Sequence, residues 1–366
     1  MNSMNYIVCV RCFTFNHAPY IEDALDGFCM QKTSFPFVCT IVDDASSDGE
    51  QDIIKNYVHD HFDLEDKSIV RREETDDYIL IFAQHKTNRN CYFAVFYLKY
   101  NHYSRPEVKD NKFLYISKWY DNAKYIALCE GDDYWIDPCK LQKQVNTMET
   151  HPECSMTVSN NYSYNVELDK FEVANPVPIN ECRFLTMSEL LREEGGLIPT
   201  ASMCFRGDLL RTKPFEFSTP HVGDRPLRMW CAINGPVFYD ANAMTVYRFG
   251  SVGSFSQRTR SNFNYAKDVL VSMNEFYDYF DKYTQYAYKD DVAYMKSREE
   301  YLFYIRIGSY KRFLTCYYKA FPFVKKVKIL IHYVLDILSP KISLRLSKLV
   351  MSSSISKTEI LGRQNL

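Results

Sequence analysis

The stretch from Tyr125 to Cys139 constrains this chain more than any other. It reads Tyr-Ile-Ala-Leu-Cys-Glu-Gly-Asp-Asp-Tyr-Trp-Ile-Asp-Pro-Cys. Its apolar opening, Tyr125 to Cys129, predicts a buried strand. Three acids follow at once: Glu130, Asp132 and Asp133. Asp137-Pro138 then predicts a helix start, with Asp137 as N-cap and Pro138 at the first helical position. The result is a cluster of carboxylates on the loop after a buried strand. In open α/β sheets ligands bind at that place. Paired carboxylates there hold a hard cation through oxygen and leave coordination positions open for a phosphate.

The rest of the chain supplies the frame for such a loop. Tyr6 to Phe15 predicts a first strand, and Asn16-His17-Ala18-Pro19 a turn into a helix carried by Ile21, Ala24, Leu25 and Phe28. Phe35 to Val42 predicts a second strand ending in Asp43-Asp44-Ala45-Ser46-Ser47-Asp48-Gly49. Ser47 with Glu50 forms a capping box for a helix to about Val58. This β-α-β-α opening is that of a doubly wound sheet. Tyr78 to Ala83 predicts a third strand, residues 84 to 112 an irregular insertion, and Lys112 to Asn122 a helix. The acidic loop is followed by a helix with Leu141, Val145 and Met148, then by a strand over Cys154 to Ser159.

Beyond residue 160 the alternation weakens. Residues 160 to 185 read as a loop or hairpin excursion and Thr186 to Glu193 as a short helix. Ile198 to Phe205 reads as a strand, residues 223 to 236 as a compact helix, and Val237 to Tyr239 and Ala243 to Phe249 as two short strands. From about Ser261 to residue 350 the chain reads as helical, with breaks at Pro322 and Pro340. The domain reading is therefore residues 1–260 as an α/β unit (1–160 and 161–260 as its halves), 261–350 as a helical appendage, and 351–366 as a flexible tail.

Composition narrows the class. The chain has 366 residues, 46% of them hydrophobic and 25% charged, which supports a packed core. A net charge of −2 argues against a dedicated nucleic-acid binder. Between Arg306 and Lys348, however, ten Lys or Arg face a single acid, Asp336. Val324, Val327, Leu330, Ile331, Val334 and Leu338 form one apolar face there, with Lys325, Lys326, Lys328 and His332 mostly off it. Two readings stand: a helical appendage with a solvated basic side, or docking on an anionic membrane surface. Twelve cysteines are scattered through the chain. Cys9 and Cys12 lie within one predicted strand and face opposite ways, so reduced structural thiols and a cytoplasmic setting are expected. No signal peptide is legible ahead of the first strand, and no apolar run approaches the ~20 residues of a spanning helix.

Two acidic loops thus follow two strands of one predicted sheet, Asp43-Asp44 and Glu130-Gly131-Asp132-Asp133. Crowded carboxylates repel unless a cation or hydrogen-bond donors compensate. A nucleotide diphosphate-sugar with Mg²⁺ or Mn²⁺ supplies both. Val10 to Tyr20, Asp43 to Gly49 and Leu128 to Trp135 together resemble the family 2 glycosyltransferases of the GT-A fold, especially bacterial members that build surface polysaccharides such as capsule and lipopolysaccharide. The resemblance is good over roughly residues 6 to 160 and thinner to Gly223-Asp224-Arg225-Pro226.

It implies a GT-A, Rossmann-like fold: a mostly parallel sheet with helices on both faces. It implies that Thr14, Phe15, Asn16 and Asp44 hold the donor's nucleoside. Asp133 would bind the metal, Asp132 would contact the ribose or sugar, and Asp224 would act as the general base of an inverting transfer. A simple N-cap is the other reading of Asp224. Tyr134 and Trp135 stack on an acceptor sugar, or Trp135 is buried against the next helix. Where the family often has a His after Val246-Tyr247-Arg248, this chain has Phe249-Gly250-Ser251, and Arg248 contacts phosphate or is structural.

The implied partners are a nucleotide-sugar, UDP-linked first among donors, and a glycan or lipid-linked acceptor, on the inner face of the plasma membrane. Two alternatives stay open. One is a catalytically degenerate module that binds a nucleotide-sugar or glycan. The other is a sugar nucleotidyltransferase, although Phe13-Thr14-Phe15-Asn16-His17 lacks the Gly of its phosphate loop.

Overall fold

The computed structural model describes residues 5–166, 169–173, 181–192, 198–251 and 253–306, with isolated positions 327, 330, 334 and 354–355. The first half alternates as the sequence predicts. Strand β1 (Val8–Thr14) leads to α1 (Ile21–Cys29), β2 (Phe37–Asp43) and α2 (Glu50–His61). Short β3 (Phe62–Asp63) and β4 (Arg71–Glu74) precede β5 (Tyr78–His85) and β6 (Cys91–Leu98), and α3 (Asn111–Tyr120) leads into β7 (Tyr125–Leu128). Next come β8 (Tyr134–Trp135), α4 (Lys140–Thr150), β9 (Met156–Asn165), β10 (Lys170–Val173), β11 (Arg183–Leu185) and α5 (Met187–Arg192). The chain continues through β12 (Cys204–Arg206), α6 (Asp208–Thr212), α7 (Asp224–Ile233) and β13 (Val237–Phe249). Helices α8 (Phe255–Ser261), α9 (Phe263–Tyr283) and α10 (Lys289–Arg306) follow.

One sheet runs β11-β13-β9-β12-β7-β1-β2-β6-β5-β3. Its centre is parallel: β1 pairs with β7 on one side and β2 on the other, and β2 pairs with β6. The flanks are mixed, with β12 antiparallel to β7 and β5 antiparallel to β6. Successive side chains of β1 enter two different cores. Val8, Val10 and Cys12 join α1 and α2 on one face, and Cys9 joins α3 and α7 on the other. Cys9 and Cys12 therefore do face opposite ways, as a strand dictates. A third core, with Phe217, Trp230, Met273, Phe276, Phe280 and Met295, packs the C-terminal helices against α7. Full burial of a side chain such as Phe280 stabilises by about 1.5–3 kcal/mol.

Several expectations are corrected. The stretch 84–112 is not wholly irregular: Cys91–Leu98 is a strand buried at every position. Both faces of the sheet are covered there, so the run shows no alternation. Helix α2 has no Ser47 cap; Gly49 stands at its N-cap with φ 94°, and Asp48 accepts the Glu50 N–H. Helix α4 begins at Lys140 rather than Pro138, because the Asp137 side chain first captures the Cys139 N–H at 2.8 Å. Residues 198–205 form a 3₁₀ turn (Thr200–Ser202) before three residues of strand. The two predicted strands after α7 are one strand, β13, with an irregular register between Asp240 and Thr245. In the tail, Ser354–Ile355 (β14) pairs antiparallel with β10. Of the apolar C-terminal face, Val327, Leu330 and Val334 are helical and exposed, and Val324, Ile331 and Leu338 lie outside the described residues.

Candidate active site

Strands β2 and β7 are parallel to β1 and flank it, so the turns that follow them leave the same edge of the sheet. The two acidic turns thus share one rim, with the β1–α1 turn between them. Thr14 is the hub. It is almost fully buried, its hydroxyl donates to a Glu50 carboxylate oxygen, and His17 Nδ1 lies 3.1 Å from that hydroxyl. On its other side it presses on Gly131, where an added Cβ would stand 2.0 Å from the Thr14 hydroxyl oxygen. That close approach is why Gly occupies the middle of the acidic loop.

Glu50 entered the sequence reading only as a capping-box partner of Ser47. It is buried, and it accepts the His17 N–H at 2.9 Å and the Ser46 hydroxyl at 2.8 Å. Burial pushes its carboxyl above the ordinary value, against these hydrogen bonds. Its work is to tie the β1–α1 turn to the β2–α2 turn. Asn16 completes the tie: it adopts φ 56°, and its side-chain oxygen accepts the Ser47 N–H at 2.8 Å. Phe15 projects beside them, 42% exposed.

Asp44 is buried, and its two oxygens accept the N–H groups of His102 at 2.6 Å and Tyr103 at 3.0 Å. It anchors the loop after β6, and a ligand would use its remaining lone pairs. Glu130 accepts from Arg11 at 3.0 Å and from the Phe13 N–H at 3.1 Å. Asp133 is 4% exposed; its Oδ1 accepts the Arg248 N–H at 2.8 Å. Burial, then the neighbouring Asp132 charge, pushes its carboxyl well above the usual carboxylate range. Asp132 accepts the Ser251 hydroxyl at 2.9 Å and lies 3.9 Å from His17 Nε2.

Arg248 is committed to protein partners. It donates to the Asp132 carbonyl at 2.9 Å and to the Asp23 carboxylate, and stacks on Tyr20 and Tyr134. Through these contacts it clamps the acidic loop. Trp135 does not face an acceptor. It is 2% exposed, its indole N–H donates to the Ala201 carbonyl, and Lys140 lies over its ring. Tyr134 packs on Arg248 and is half-buried. Asp224 opens α7 and is half-buried; it bonds to none of the other acids. Its neighbour Arg225 is held by Glu299 of α10.

Among the described residues no group of three or more His, Cys, Asp or Glu is arranged to hold a metal. The pair Asp132 and Asp133 still fits a hard cation. Asp133 Oδ2 accepts no hydrogen bond among the described residues, and the pair's mutual repulsion is relieved by positive charge.

No family model matches the chain. Over 240 residues it is 29% identical to uncharacterized proteins of Mycobacterium bovis and Mycobacterium tuberculosis. That alignment takes in 64% of this chain and 56% of theirs, so the chain spans about half the length of the curated relatives it matches. Among solved structures, S. aureus TarS matches with a TM-score of 0.50 at 15% identity, over 80% of this chain and 43% of that one. The mannosyltransferase PcManGT from Pyrobaculum calidifontis, solved with GDP-Man and Mn²⁺, matches with a TM-score of 0.50 at 11% identity. It covers 92% of this chain and 82% of its own. The fold is of the GT-A glycosyltransferase type, with a helical region appended at its C-terminal end.

Proposed function

We propose that the protein is an inverting family 2 glycosyltransferase. It moves a hexosyl unit from a nucleotide-sugar, UDP-linked first among donors, to a hydroxyl of a glycan or lipid-linked glycan in surface-polysaccharide assembly. The observation that carries this reading is the shared rim: Asp44 and the Asp132–Asp133 pair leave the sheet at the same edge on either side of β1. The GDP-Man and Mn²⁺ complex of the Pyrobaculum enzyme supports a nucleotide-sugar and a divalent cation for this fold.

Asp133, with Asp132, would hold Mg²⁺ or Mn²⁺. When bound, the cation supplies Lewis-acid charge for the leaving diphosphate. Phe15 offers its exposed ring to the base, and Asn16 and Asp44 fix the turns around the nucleoside. Asp224 takes the proton from the acceptor hydroxyl as that oxygen attacks the anomeric carbon. Tyr134 borders the acceptor side.

A hydrolysis assay tests the reading. The protein should slowly release nucleoside diphosphate from one donor with Mn²⁺, and Asp133→Ala should stop it. One observation favours a second reading, binding without transfer: Asp133 is nearly closed off and half-satisfied by Arg248. Thermal stabilisation by donor without any release would select that reading. The exposed Val327, Leu330 and Val334 among basic residues support a peripheral contact with anionic membrane on the cytoplasmic side. No described helix is long and apolar enough to cross a membrane.

A further inference from the structure

Beside the acidic rim lies a cluster of opposite sign. The loop after β6, anchored by Asp44, presents the Tyr103 ring, 40% exposed. Lys109 Nζ lies 4.9 Å from the centre of that ring, Arg258 Cζ 5.1 Å and Lys112 Nζ 5.8 Å. Lys112 also lies 4.6 Å over Phe13 of β1. No carboxylate of the described residues is in ion-pair contact with any of the three cations, although Asp44 and Glu130 act on Lys112 through space. The Arg258 Nε–H is buried and finds no acceptor among the described residues. An unanswered buried donor of this kind calls for a ligand or water.

The field around Tyr103 is accordingly positive. Burial alone would raise its hydroxyl, yet the Tyr265 hydrogen bond and the Arg258 and Lys109 charges hold it below the ordinary tyrosine value. Arg258 also stacks on Tyr265, whose ring lies 6.2 Å from His221, three residues before Asp224. The cluster therefore spans the front of the rim, from the Asp44 loop toward the start of α7. Three cations, one with a spare buried N–H, flanked by aromatic faces, suit an oxyanion with several oxygens.

We infer that Lys109, Lys112 and Arg258 form an anion subsite that receives a phosphate group carried by the acceptor. This rests on the glycosyltransferase reading for the word acceptor, and on geometry alone for the anion. The divalent cation at Asp132 and Asp133 would answer the donor's diphosphate, which leaves these three charges for a second anion.

The test uses the full chain, titrated with inorganic phosphate and with glycerol phosphate by calorimetry, in EDTA and without donor. Saturable binding of both probes is expected. Arg258→Met and Lys109→Met should each weaken it by about tenfold, the scale of one charged hydrogen bond, and Arg258→Lys should recover part. UDP affinity in Mn²⁺ should stay as in the wild type. Absence of phosphate binding, or binding unchanged in both variants, overturns the subsite. An equal loss of UDP affinity assigns the anion to the donor and overturns the acceptor. If Arg258→Met does not fold, Lys109→Met decides. Donor hydrolysis, measured in parallel, reads the transferase assignment separately. Phosphate binding without hydrolysis removes only the transferase, and hydrolysis without phosphate binding removes only the subsite.

Discussion

If Asp133 holds the proposed cation, its raised carboxyl would make that binding a proton-coupled event. Its folded-state value lies above its unfolded one, so the folded protein binds an extra proton in the window between them. The stability this contributes is complete below the unfolded value and fades as pH rises toward the folded one. A divalent cation needs the carboxylate, so its binding should release that proton. Thermal stabilisation by Mn²⁺ should therefore grow as pH rises out of the ordinary carboxylate range toward the raised Asp133 value. In Asp133→Asn the pH-dependent part should vanish; a flat response in the wild type would remove Asp133 as a ligand. Asp224→Asn should keep donor affinity and lower transfer by about a hundred- to ten-thousandfold. Lost donor affinity with normal turnover would end its role as base. In the sequence, the acidic loop marked Asp133, and the family resemblance marked Asp224. Spacing assigned Glu50 only a capping role, because an acid three residues after Ser reads as a capping box. Only the fold carries that side chain to Thr14 and His17.

At the scale of elements, the three turns on the rim behave as one body. Gly131→Ala would drive a methyl into Thr14, and that overpacking should cost about 1–3 kcal/mol in urea unfolding. Donor binding should fall with it, whereas Gly223→Ala, with open space around its Cβ, should leave stability within about 0.5 kcal/mol. Equal effects at the two sites would mean that the Thr14 contact is not close. The parallel centre of the sheet was legible from apolar runs punctuated by Asp-rich turns. Strand β6 was missed because Cys-Tyr-Phe-Ala-Val-Phe-Tyr-Leu has no period and sits among Asn, Arg and Lys. Trp135 carried two readings for a related reason: an aromatic after an acidic loop looks the same whether it meets a sugar or, as here, Phe28 of α1.

For the whole molecule, the C-terminal helices α9 and α10 pack into the α/β body rather than forming a loose addition. Their core includes Trp230 of α7, and Glu299 of α10 grips the residue after Asp224. Truncation before α9 should therefore yield an aggregating protein that exposes Phe217 and Trp230, seen as bound hydrophobic dye. Deleting residues 324–366 should instead leave the fold intact and weaken binding to anionic vesicles in low salt. Unchanged vesicle binding would leave that segment a packing role only. Charge asymmetry made this end visible in the sequence, and the helical spacing of Val327, Leu330 and Val334 agrees with it.

The contact of Thr14 with Gly131 has a consequence for how such a chain diversifies. Because one hydroxyl-bearing side chain wedges both flanking turns, no turn on that rim can drift without dragging its neighbours. Sequence change is thereby steered toward the strands and loops after residue 160. Under the proposed transferase reading, new acceptors would be explored there while the grip on the donor is inherited unaltered.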